Sequence, residues 1–160
     1  MEKAISMIRE ANKALKTADH MLYVTMPVVN DNKIMMLVTE NLCKAVVGAM
    51  DVILYYDRLY KRIGPHGDAF QMRYETFKNK CAARYNFSNE NVALIRDIRK
   101  IMEARKKSPI EFSRRDSFVI CSPSYRTETI TIERLKNFMN QSKEFISKVN
   151  RIIEQNVRGY

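Results

Sequence analysis

Residues Ile34 to Ile63 read IMMLVTENLCKAVVGAMDVILYYDRLYKRI, with no proline. Met35, Met36, Leu37, Val38, Leu42, Ala45, Val46, Val47, Ala49, Met50, Val52, Ile53 and Leu54 spread apolar groups over nearly every helical face. A helix with one wet side shows a single stripe, and one apolar all round is enclosed by neighbours. The stretch therefore predicts a long buried helix, the central post of an all-α, up-down bundle of about five helices. A membrane span is rejected. Glu40, Lys44 and Asp51 lie mid-stretch, and three such charges cost about 7–10 kcal/mol, more than the apolar residues return.

On the N-terminal side, Ile5, Ile8, Ala11/Asn12, Leu15, Ala18 and Leu22 recur at steps of three or four, which predicts a helix from about Glu2 to Val24. Pro27 and Asn30-Asp31-Asn32 break the chain, with Asp31 as N-cap of the central helix. So short a connection implies an antiparallel helix hairpin. The N-terminal apolar residues are spaced rather than continuous, so no signal peptide is expected.

On the C-terminal side, Gly64-Pro65-His66-Gly67 is a helix stop. A third helix opens at Asp68 with Gln71 as a capping-box variant and carries the stripe Phe70, Tyr74, Phe77, Cys81, Tyr85, read as core. A fourth runs from Ser88, its N-cap, through Leu94, Ile98 and Ile101 to Arg105-Lys106-Lys107. Ser117–Cys121 and Arg126–Thr131 have strand composition around the turn-like Ser122-Pro123-Ser124-Tyr125, so residues 110–131 predict a β-hairpin arm inserted before the last helix. Two strands alone are marginal in water, so the hairpin must lie on the bundle or pair with another chain. The fifth helix is capped by Thr131 and follows a three-four rhythm to about Val157, beyond which the tail frays. The 160 residues form a single domain.

The net charge of +10 attracts polyanions. From Arg96 to Asp116 eight basic residues accompany four acids. Arg105, Lys106, Lys107, Arg114 and Arg115 are the candidate phosphate contacts for RNA or DNA, the two arginines reaching out from the hairpin. Tyr55 to Arg62 interleaves aromatic and basic residues, an arrangement that suits stacking on bases but is read here as core with cations at a helix end.

Enzyme signals are sparse. His20 and His66 are far apart and lack metal-site spacing, and Asp51 and Asp57, like Glu10 and Asp19, have no distinctive spacing. No Walker loop, dinucleotide loop or nucleophile elbow occurs. Cys43, Cys81 and Cys121 form no C-x-x-C and fit a reduced, cytoplasmic setting. No metal and no cofactor are expected.

The hairpin of helices one and two, with Glu40-Asn41-Leu42-Cys43-Lys44-Ala45 opening an Ala- and Val-rich helix, resembles the HEPN group of small helical bundles over about residues 1–107. The resemblance implies the bundle fold and dimerisation, and links to RNA cleavage or nucleotide-transfer systems. The group's catalytic pattern is Arg, four to six residues, then His. Arg62 and His66 have three residues between them, and Arg58 and His66 have seven, so the chain departs from it. Three functions follow as expectations: a non-enzymatic nucleic-acid-binding bundle; a divergent ribonuclease using Arg62 and His66 across a dimer; and a structural homodimer joined through helix five or the hairpin edge.

Overall fold

The structure, a computed structural model, describes all residues except 30, 109, 115–116, 122–125 and 159–160, and leaves out the side chains of 110–114. The bundle is all-α, with the expected five helices and a small antiparallel sheet between the fourth and fifth.

Helix α1 is continuous through Glu2–His20, a π-helical turn at Met21–Thr25, and Met26–Val29. It thus runs past Pro27, where a break was expected. Proline has no N–H to give, and the chain meets it with a widened turn in which the Met26 amide reaches back to the Met21 carbonyl. Ala4, Ile8, Ala11, Ala14, Ala18 and Leu22 form its buried face.

Helix α2, Ile34–Leu59, is the central post, lying against α1, α4 and α5. Asp31 does not cap it as expected; its Oδ1 accepts from the Lys33 amide at 2.9 Å in a tight turn before the helix. The helix stops at Leu59, ahead of the glycines. Lys61 takes a left-handed φ of 57°, the Arg62 amide bonds the Asp57 carbonyl, and the Lys61 amide bonds the Arg58 carbonyl. This is the Schellman closure, with lysine where glycine usually sits. Close approach to α1 occurs at Gly48, where a Cβ would lie 3.5 Å from that of Ala11.

Helix α3, Phe70–Thr76, continues as a π-helical turn, Phe77–Cys81. The expected capping box is not made: Ala69 precedes the helix, and Gln71 donates to Glu75 instead. A second Schellman closure follows, with Asn86 at φ 56° and the Phe87 amide on the Ala82 carbonyl. Phe77, Phe87 and Phe145 then pack with centroids 5.3–6.2 Å apart, tying this turn to α5. Helix α4, Asn89–Lys107, opens with the expected Ser88 cap, closed reciprocally by Asn91.

The inserted sheet is larger than the hairpin read from sequence. Strands β2 (Ser117–Cys121) and β3 (Thr127–Thr131) pair with Phe118 opposite Ile130, and a further strand, β1 (Ile110–Arg114), pairs on the other side of β2. The turn expected at Ser122–Tyr125 lies outside the described residues. Phe118, Ile120 and Ile130 are buried in the core, so the sheet lies on the bundle. Helix α5, Ile132–Val157, starts directly from β3, and the Thr131 side chain accepts from the Arg134 amide. Among the described residues, no helix is long and apolar enough to cross a membrane, and no group of side chains could hold a metal ion.

Candidate nucleic-acid interface

Between Arg58 and Lys107 the chain carries thirteen basic and five acidic residues, so most of the +10 arises in α3, α4 and the segment before them. These cations divide by residue type. Most of the arginines turn inward and hold the bundle together, Arg58 and Arg96 excepted; the lysines face water.

Each inward arginine has a definite partner. On α2, Glu40, Asp51 and Asp57 take arginines from the helices laid across them. Arg105 bonds Glu40, Arg73 meets Asp51 at 2.5 Å, and Arg84 meets Asp57 at 2.5 Å. Arg99 pairs with Glu103 at 2.7 Å, one helical turn along. The exposed Arg96, by contrast, bonds only its chain neighbour Asp97, through Nε.

Asp57 is the only fully enclosed carboxylate among these, at 0 % exposure. Besides Arg84 it accepts from the Tyr85 hydroxyl, which itself accepts from Arg62 at 2.9 Å. Burial pushes the Cys81 thiol up to about 12, helped by its hydrogen bond to Asp57, and the Tyr85 phenol is raised for the same two reasons in the same order. The cluster joins the end of α2 to the turn after α3. Burial likewise raises the Asp51 carboxyl, against the opposing pull of Arg73 and His66.

The lysines are different. Lys61, Lys78, Lys80, Lys100, Lys106 and Lys107 are exposed and make no ion pair among the described residues. On α4, Arg96, Lys100 and Lys107 recur at i, i+4 and i+11 and share one side, spanning about 16 Å. Lys78 and Arg96 line the same cleft between α3 and α4.

The residues singled out from sequence fall as follows. Arg105, Lys106 and Lys107 form the last turn of α4, where cations complement the helix dipole; Arg105 is half-buried on Glu40, and the two lysines are exposed. Arg114 ends β1, with its side chain outside the described residues, as is all of Arg115. Arg62 lies over the Tyr56 and Tyr60 rings and bonds Tyr85. Tyr56 is 1 % exposed, so this aromatic group is core. His66 is half-buried, its Nδ1 3.1 Å from the Gly67 carbonyl and its ring near Asp51. No contact among the described residues joins Arg62 to His66. His20 is exposed beside Thr25.

Lys78, Lys80 and the inward pairs escaped the sequence reading. The two lysines could have been found as the off-stripe positions of the Phe70–Cys81 pattern. The arginine partners could not, lying 22, 27 and 65 positions from their carboxylates.

The exposed large apolar side chains are not on the body of α5, whose apolar face is buried. Five of the eight among the described residues gather at the α1–α2 tip, Tyr23, Val24, Val28, Val29 and Leu37, with Val28 82 % exposed; Leu59, Met72 and, at the end of α5, Val157 are scattered.

Comparison with protein-family models gives no match for this chain, and comparisons with curated proteins and with solved structures give none either.

Proposed function

We propose that the protein is a non-enzymatic bundle that associates with nucleic acid, phosphates lying along the lysine-bearing outer face of α3 and α4. One observation carries this reading: in the most basic part of the chain, five of seven arginines are committed to contacts within the bundle while six lysines stand in water with no ion pair among the described residues. A cation paired inside the fold has no counterion to release. An exposed lysine has one, and its release drives binding to a polyanion. Lys106 and Lys107 remain contacts in this scheme, while Arg105 steadies the helix end that presents them. The three cysteines are widely spaced with no C-x-x-C pair, a pattern that suits a reduced, cytoplasmic setting.

The test is a fluorescence-anisotropy titration of labelled RNA and DNA at several salt concentrations. Wild type should bind at low salt and weaken linearly on a log–log plot. Replacing Lys78, Lys100, Lys106 and Lys107 by Gln should lower the slope by about 3. No binding at low salt, or an unchanged slope, refutes the proposal.

A second reading, the homodimer, is favoured by the valine-rich α1–α2 tip. Light scattering tests it directly: Val28→Lys should halve the apparent mass if the tip is the interface, and a monomeric wild type rejects it.

A further inference from the structure

The cleft between α3 and α4 has a chemistry that the lysine face alone does not explain. Tyr74, Lys78, Asn79, Ala82 and Ala83 line it from the α3 side, with Phe87 at its end and Asn89, Val92, Ala93 and Arg96 opposite. Its volume is about 560 Å³. Alanines on both walls leave the space open, and both helices present short side chains there. The Tyr74 hydroxyl donates to the Val92 carbonyl at 3.3 Å, so its polar end is already satisfied and the floor is apolar. Asn79 and Asn89 place two exposed amides at the sides, the Asn79 amide nitrogen reaching back to Glu75 at 3.4 Å.

The lining contains two cations and no carboxylate. The other large clefts differ: the one between α1 and α5 includes Glu154, and the one between the α3–α4 turn and α5 includes Glu144. Asp97 engages Arg96 only at Nε, so its terminal nitrogens point to no partner among the described residues. A floor closed by the buried Tyr74 and Phe87, with two amides and two cations around it, has room for the parts of one nucleotide: a flat base, its hydrogen-bonding edge and its phosphate.

We infer that this cleft seats a single unstacked nucleotide of a single-stranded RNA or DNA chain. The inference rests on the nucleic-acid reading above and gives it a preference: single strand over duplex, since a base held within a duplex cannot enter. Lys78 and Arg96 take the flanking phosphate, and the strand continues along Lys100 and Lys107.

The test fills the cleft without touching its charges. Ala83 is exposed and Ala93 half-buried, so Ala83→Leu with Ala93→Leu should fold, as a thermal melt will verify. Ten-residue single-stranded and duplex oligonucleotides are titrated against wild type and this variant. The variant should bind the single strand about tenfold more weakly and the duplex equally well. A variant that binds both like wild type, or loses both alike, overturns the cleft while leaving the lysine face standing. A wild type that binds neither overturns both.

Discussion

Arg84 and Asp57 meet at 2.5 Å, joining the turn after α3 to the last turns of α2, with the carboxylate fully enclosed and the guanidinium partly in water. The pair fixes where the α3–α4 unit sits on the central helix, and with it the position of the lysine face.

Removing Arg84 leaves the buried carboxylate with Tyr85 and a distant Arg62, at 3.7 Å. Stripping one member from a buried pair is costly because the other charge stays enclosed. Arg84→Ala should lower stability by about 2–3 kcal/mol, moderated by the contacts that remain. Arg96→Ala, which breaks the exposed pair with Asp97, should cost under about 0.5 kcal/mol. Urea melts of the two variants measure the difference.

The same cluster makes the fold sensitive to alkali. Cys81 and Tyr85 are both raised, so the folded chain retains protons that the unfolded chain releases. Their contribution is complete below the unfolded thiol value of 9.0 and is lost as pH rises toward about 12. Melting temperature should therefore fall above about pH 9, and Cys81→Ala should flatten that fall. Cys81 is fully buried and its thiol is raised, so iodoacetamide at pH 8 should label it only on unfolding.

Lys61 sits where an L side chain crowds its own carbonyl, at φ 57°. Lys61→Gly relieves that strain but adds freedom to the unfolded chain, and should net about 0.5 kcal/mol of stability. A rise in the urea midpoint at unchanged slope is the expected signature.

At Gly48 the arithmetic runs the other way. The helix is regular there, and an added Cβ would meet Ala11 at an ordinary 3.5 Å. Gly48→Ala should stabilise by about 0.5–1 kcal/mol. Gly48→Leu should destabilise by about 1–3 kcal/mol, by forcing α1 away. Thermal melts separate the two.

The elements that sequence revealed are those whose signal is local. All-round apolarity marked α2, a three-four rhythm marked α5, and Ser88 and Thr131 marked helix starts because a cap acts within three residues. The errors share a cause as well. Pro27 is a helix breaker by its own chemistry, yet a π turn just upstream accommodates it. Gly64 is the better stop residue, yet Lys61 closes the helix first because Ile63 must turn back to become buried. Ile110–Arg114 gave little strand signal of its own and is held by its register against β2. The candidate interface was half readable: the basic run on α4 was plain, whereas the sorting of arginines from lysines depends on carboxylates brought in from α2 by folding.

Thr131 ends β3 and Ile132 begins α5, with no residue between to absorb slack. Thr131 is held opposite Ser117 by the ladder, and Arg134 reaches back to the Thr129 carbonyl and Glu128. One residue inserted at this seam would turn α5 by about 100° and rotate Leu135, Phe138 and Met139 out of the core. The sheet thus works as an indexing pin for the last helix, setting its angular phase.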